Sequence, residues 1–327
     1  MTILVTGSSG HLGEALMRCL AAEQRPARGL DIRPSPFTTH VGSITDREVV
    51  RDAMDGVAAV LHTATLHKPH VATHGRQDFI DVNISGTLNL LEEAVAAGTS
   101  AFVFTSTTSV FGDALRPPPG APAAWITEDV RPVPRNIYGV TKTAAEDLVA
   151  LFQKLHGLPG IVLRTSRFFP EQDDLRAVRD GYEDANAKAN EFLHRRVDIE
   201  DVASAHLLAL ECAPALGFER FIISATTPLC PEDLAELRRD AASVVERRCP
   251  QYKAEYRRRG WSMFPSIDRV YDNARARQNL GWRPRHDFST IIAQLSRNQD
   301  PGSPLARAIG VKGYHDQTFR DGPYPIS

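Results

Sequence analysis

The segment Thr6-Gly7-Ser8-Ser9-Gly10-His11-Leu12-Gly13 constrains this chain more than any other, because it joins an apolar run, Ile3–Thr6, directly to a helical pattern, Leu12–Ala22. Each glycine has its own physical reason in such a strand–turn–helix. Gly7 permits the tight turn, Gly10 lets backbone approach a pyrophosphate, and Gly13 lets the helix pack close to the strand. The helix N-terminus then offers N–H groups and partial positive charge to phosphates. Asp31 closes the next apolar run, where a carboxylate accepts hydrogen bonds from a ribose diol and repels a 2′-phosphate. The expected ligand is therefore NAD; Arg28 and Arg33 keep NADP as the alternative.

Beyond the turn, short β-branched runs alternate with helical patterns, the mark of a parallel sheet covered by helices. Expected strands are Ile3–Thr6, Ala27–Asp31, a weak Thr39–Gly42, Ala58–His62, Ala101–Ser106 and Gly160–Arg164. Expected helices are Leu12–Ala22, Arg47–Met54, Phe79–Ala97 and Tyr138–His156. Proline-rich Arg116–Pro122 and Arg131–Pro134 read as loops, since proline removes a donor and fixes φ. Later come a helix at Asp198–Leu210, a strand at Arg220–Ser224 and a helix at Pro231–Arg238. The fold class is α/β: a Rossmann-type doubly wound parallel sheet over residues 1–165, with returns at about 198–224. A small α/β substrate-binding lobe takes 166–197 and 225–300, and 301–327 is a C-terminal tail.

With 38 Lys+Arg against 40 Asp+Glu in 327 residues, the chain lacks the standing basic excess that phosphate-backbone binding needs, so nucleic acid is not expected as a partner. No apolar run approaches the ~18 residues of a membrane span. The N-terminus shows no basic leader or cleavage pattern. Cys19, Cys212, Cys230 and Cys249 have neither metal-site spacing nor disulfide-scaffold density. A soluble, cytoplasmic protein is expected. From Glu246 to Arg285 basic residues outnumber acidic ones, which fits either a solvated face or a site for an anionic substrate group.

Tyr138 and Lys142, four residues apart, share one face of a helix that follows the fifth strand. With the turn, Asp31, His62-Thr63-Ala64, Asn83, Gly86-Thr87, Thr107 through Gly112, Asp198–His206 and Leu280-Gly281-Trp282, the chain resembles the extended short-chain dehydrogenases/reductases, the NAD-dependent epimerase/dehydratase family, over about residues 1–300. The resemblance implies a sugar carbinol oxidised to a ketone, with Tyr138 as base, Lys142 lowering its pKa and holding the nicotinamide ribose, and Thr107 at the reacting oxygen; Ser106 is the less favoured substitute. A free phenol, with a pKa of about 10, needs such help. The resemblance also implies that Gly7, Ser9, Gly10, His11, Leu12, Gly13, Asp31, Ile32, His62, Ala64 and Asn83 join Tyr138 and Lys142 at the cofactor. Thr107, Thr108, His67 and Arg167 fall to the substrate. Where dehydrating or decarboxylating members carry acidic residues, this chain has Thr108 and Ser109, so epimerisation or simple oxidation–reduction remains. A nucleotide-sugar epimerase is the leading expectation, a dehydrogenase of a small polyol or sugar acid the alternative, and a non-catalytic NAD-binding protein the remote one.

The resemblance weakens in the second half. Arg167 stands where asparagine is common, Pro170–Arg196 is short, and the family's Arg-x-x-Asp pair would fall near Ser262 and Pro265. Arg269 and Asp272 have that spacing but lie close to Leu280. Arg164, Arg167, Arg195 and Arg196 either bind a smaller anionic substrate or pair with Glu171, Asp173, Asp174 and Asp198. His62, His67, His70 and His74 cluster, but Pro69 breaks any helix that would align them, so no metal is expected. Ala144, Ala145, Leu148, Leu151 and Phe152 form an apolar stripe on the Tyr138 helix, and the family's habit of pairing there implies a homodimer.

Overall fold

The computed structural model describes residues 1–313, 315 and 319. Its main sheet holds seven strands: β1 (Thr2–Thr6), β2 (Ala27–Asp31), β3 (His40–Val41), β4 (Val57–His62), β5 (Ala101–Thr107), β7 (Gly160–Thr165) and β8 (Phe218–Ile223). They run in the order β3-β2-β1-β4-β5-β7-β8, every pairing parallel. Such a sheet is covered on both faces, which is why its strands are almost uniformly apolar. Leu4, Val5, Phe102, Val103, Val162 and Leu163 are fully enclosed. The order reverses at β1, and the crevice beside its C-terminal end, between β1 and β4, is where such sheets receive ligands.

Several local expectations are corrected. The continuous helix Phe79–Ala97 is broken into Arg76–Ile80, a π-turn Asp81–Ser85 and Gly86–Ala96. Pro231–Arg238 is a 3₁₀ turn followed by a single helical turn, Leu234–Leu237. Two three-residue strands went unread: β6 (Ala124–Ile126), from the proline-bounded stretch, pairs in parallel with β9 (Arg269–Tyr271), from the basic one.

Residues from the second half form a core of their own. Helices Asp184–Glu191, Ala241–Arg248, Tyr252–Arg259 and Phe288–Ser296 pack around Leu193, Leu237, Val244, Tyr256, Val270 and Phe288. The helix Ile199–Leu216 and the segment carrying Leu280 and Trp282 instead pack on the sheet, beside Leu12, Leu16 and Phe221. The Trp282 indole donates to the Asp201 carbonyl at 3.1 Å, and the Asp201 carboxylate accepts from the backbone of Arg285 and His286. The tail begins with a short helix, Pro304–Ile309, whose Ile309 joins the sheet-side core. Among the described residues no helix is long and apolar enough to cross a membrane.

Candidate active site

The turn after β1 has the geometry its glycines foretell. Gly7 sits at φ 70°. A Cβ on Gly13 would lie 1.9 Å from the Gly7 carbonyl oxygen, so only glycine lets the helix approach. The helix His11–Ala22 begins without any side-chain cap, which leaves its positive end for a ligand. Across the turn, the two carboxylate oxygens of Asp31 accept from the backbone of Ser9 and Arg33, both at 2.9 Å. Arg28 is tied to carbonyls of Asp52, Ala53 and Asp55, which removes one of the two cations that favoured a 2′-phosphate. A close-packed glycine turn, an uncapped helix end and a carboxylate at the end of β2 fit a dinucleotide.

One cavity of about 1280 Å³ runs from this turn to the C-terminal ends of β5 and β7. Of the expected cofactor residues, Gly7, Ser9, Gly10, His11, Leu12, Gly13, Asp31, Ile32, Ala64 and Tyr138 line it, and so do the expected substrate residues Thr107, Thr108, His67 and Arg167. His62, Asn83 and Lys142 do not line it, and each has a physical reason. Both ring nitrogens of His62 are taken, by Thr6 Oγ1 at 2.8 Å and Thr87 Oγ1 at 3.0 Å, so its imidazole ties β4 to β1 and a helix. Burial also pushes its pKa well down. Asn83, on the π-turn, accepts from Thr65 Oγ1 and the Leu66 N–H and donates to the Leu66 carbonyl; it shapes the loop that lines the cavity. π-Turns recur at functional sites because they redirect one side chain.

Lys142, too, has internal partners. Its ammonium donates to the Thr105 carbonyl at 2.6 Å and lies 4.0 Å over the Phe104 ring. Burial brings its pKa down to about 7, against the opposing pull of Glu146. Tyr138, hydrogen-bonded to Thr107, is pushed up to about 12 by burial, with the Thr107 bond working the other way. Desolvation outweighs the Thr107 bond, so the protein's own groups keep the phenol protonated. Thr107 is further fixed by the Ser109 N–H, which its hydroxyl accepts at 3.1 Å. Ser106, the substitute, donates to buried Glu146 at 2.5 Å, so Thr107 alone of the two is at the tyrosine. His67 faces Tyr138 with ring centres 6.3 Å apart, and burial, then His70 and Lys142, hold it neutral.

The arginines settle into internal pairs, some of them foreseen, Arg167 with Asp174 and Arg195 with Asp173, and some not. Arg164 binds Glu146, while Arg195 and Arg196 both bind Glu191 at 2.7 Å. Arg167 reaches the Asp174 carboxylate and the Gln172 carbonyl, so its guanidinium orders the loop after β7 instead of waiting for a substrate anion. Glu171 turns to His11 at 2.8 Å, and Asp198 caps its helix. Arg269 does line the cavity, beside Tyr271, but Asp272 accepts from the Trp125 indole and the Ala274 N–H, so the two do not act as a pair. Tyr271 and Lys312 also line the cavity and were missed by sequence reasoning, because each belongs to a segment without local periodicity. Among the described residues the one group of metal-capable side chains is Asp198, Glu200 and His286; it includes none of His62, His67, His70 and His74.

A model of the family described as "NAD dependent epimerase/dehydratase family" matches residues 3–223. The UDP-glucose 4-epimerase of Rhizobium leguminosarum bv. trifolii is 29% identical, over 89% of this chain and 95% of its own. A 3 beta-hydroxysteroid dehydrogenase/Delta 5-->4-isomerase of Mycobacterium tuberculosis is 26% identical, over 86% of each. Among solved structures, a short-chain dehydrogenase/reductase superfamily protein of Agrobacterium tumefaciens with bound NAD superposes with a TM-score of 0.64 at 25% identity, covering 91% of this chain and 98% of that one.

Proposed function

From the premise that this chain belongs to the NAD-dependent epimerase/dehydratase family, we propose that it is a (nucleotide-)sugar epimerase that oxidises a sugar carbinol to a ketone and restores it with inverted configuration. NAD supplies the hydride acceptor when bound on the Gly7–Gly13 turn, with Asp31 at its adenosine ribose. With the positive nicotinamide ring beside it Tyr138 would be ionised, and as phenolate it would take the proton of the substrate hydroxyl while Thr107 holds the same reacting oxygen. Positioned base catalysis of this kind contributes roughly 10²–10⁴-fold. Lys142 adds positive charge beneath the site, and neutral His67 offers the substrate a hydrogen bond without charge. The observation that carries the reading is the single cavity that joins the glycine turn to the Thr107-bonded Tyr138.

A second reading, a dehydrogenase of a small polyol or sugar acid, draws support from Asp272: turned away to Trp125, it leaves Arg269 without the paired carboxylate a nucleotide ribose would need. A panel of sugars, polyols and sugar nucleotides separates the two. Isomer interconversion without net NADH is expected, whereas net NADH accumulation means a dehydrogenase. Tyr138→Phe should bind NADH within about twofold of the parent and lose ~10²–10⁴-fold in turnover; retained turnover refutes the assignment.

The assembly that fits is a homodimer through the Tyr138 helix. Ala145 and Phe152 of its apolar stripe are core, but Val140, Leu151 and Leu155 are 49%, 44% and 62% exposed on one side. Light scattering should find a dimer that Leu151→Glu with Leu155→Glu converts to a monomer. A parent chain that is already monomeric removes the proposal.

A further inference from the structure

Beyond the Pro304–Ile309 helix, Lys312, Gly313 and His315 line the cavity. Ile309 is anchored in the core and Gly310, at φ 63°, turns the backbone. The N–H groups of Lys312 and Gly313 then both donate to Glu171 Oε1, at 3.2 and 3.1 Å. The same oxygen receives His11 Nε2 from the phosphate-binding turn at 2.8 Å. The Lys312 ammonium donates to the Ser9 carbonyl at 2.9 Å and to Glu14 Oε2 at 2.6 Å. Further along, His315 Nε2 donates to the Pro69 carbonyl at 3.1 Å, on the loop after β4. Lys312, Gly313 and His315 thus touch the turn after β1, the loop after β7 and the loop after β4.

Charge gives Lys312 a second effect. Glu14 is a buried carboxylate one turn into the helix that would receive the pyrophosphate, where it opposes an anion. Burial alone would raise its pKa, yet Lys312 and Arg18 hold it below the ordinary carboxylate value, so it is ionised and needs these cations beside it. We propose that the segment bearing Lys312, Gly313 and His315 is a strap fastened across the pyrophosphate-binding turn, with Lys312 as its clasp, and that it retains the dinucleotide from one turnover to the next.

The inference rests on the proposed function for the identity of the ligand, and it deepens that reading. An epimerase returns the hydride to the molecule that gave it, so its dinucleotide never has to leave. A dehydrogenase must exchange its dinucleotide at every turnover, and a fastened strap opposes that exchange. Retention therefore favours isomerisation over net oxidation.

The test is the dissociation rate of NADH, followed by the loss of its fluorescence on chasing the loaded protein with excess NAD. The full chain is compared with Lys312→Ala and with a chain ending at Gly310. Both variants are expected to release NADH at least tenfold faster; circular dichroism melts show whether each is folded, and the point variant keeps the test valid if the shortened chain is not. A full chain that binds NADH and releases it as fast as folded Lys312→Ala overturns the strap alone. A full chain that binds no NADH overturns the cofactor reading along with it.

Discussion

At the scale of single residues, the buried pair Tyr138 and Lys142 sets the pH behaviour of the protein. A phenol pushed up to about 12 does not ionise at working pH in the ligand-free chain. The parent-minus-Tyr138→Phe difference in phenolate absorbance should stay flat up to about pH 11 and move to lower pH once NAD is bound; a ligand-free phenolate signal near neutrality refutes this. Stability follows from the same shifts. Lys142 falls from 10.5 to about 7 on folding, so between those values the unfolded chain holds a proton that the folded chain lacks. Stability rises with pH across that window and is lowest below it. Tyr138 acts oppositely: between 10 and about 12 the folded chain keeps the proton, and stability falls. Urea midpoints should climb from pH 7 to about 10, and Lys142→Met should abolish the climb and raise stability at pH 7, on the order of a few kcal/mol. The motif made these two residues legible in the sequence, along with Thr107 and Asp31. It said nothing of which way each side chain turns: His62 and Asn83 occupy motif positions, yet spend their polar atoms on Thr6, Thr87 and Leu66.

At the scale of elements, the first helix lies so close to the turn that feeds it that no side chain fits at Gly13. Gly13→Ala would place a methyl 1.9 Å from the Gly7 carbonyl and 2.8 Å from Ser8 Cα, both backbone atoms that cannot swing aside. The expected cost is ~1–3 kcal/mol of stability, with a loss of NADH affinity of at least tenfold. Gly10→Ala, whose nearest contact is 3.2 Å, should unfold later than Gly13→Ala in the same urea titration. Equal midpoints would mean the helix can shift. This turn was readable because its signal is local, with three glycines in seven residues between two periodic runs. The pairing of β6 with β9 had no such signal: Ala124, Trp125 and Ile126 meet Arg269, Val270 and Tyr271 across a long sequence separation. Three residues are too few for alternation to show. The helix over Phe79–Ala97 failed for a related reason, since an apolar period survives a π-turn almost unchanged while the backbone gains a residue.

At the scale of the whole molecule, the near-neutral composition conceals a concentration of charge where the lobe meets the sheet. Glu191 ends a lobe helix, is 1% exposed, and receives Arg195 and Arg196 at 2.7 Å with Arg167 at 3.9 Å. Burial would raise its carboxyl, but these guanidiniums hold it well below the ordinary range, so it is ionised. Arg196 also bridges to Arg167 backbone and donates to the Phe169 carbonyl, which fastens the loop behind the active site. Removing one member of a buried ion cluster leaves the others uncompensated and costs ~3–5 kcal/mol. Glu191→Gln keeps the shape and removes the charge. Beyond a lower urea midpoint, it should uncouple the two cores, because Trp261 packs against the lobe and Trp282 lies in the sheet-side core. Single-tryptophan variants read each core by itself. In the parent both tryptophans should report one transition, the mark of a cooperative unit. In Glu191→Gln the Trp261 transition should precede that of Trp282. Coincident transitions with a loss below ~1 kcal/mol, the range of a surface pair, would mean that apolar packing alone joins lobe to sheet and that the charge cluster only shapes the loop.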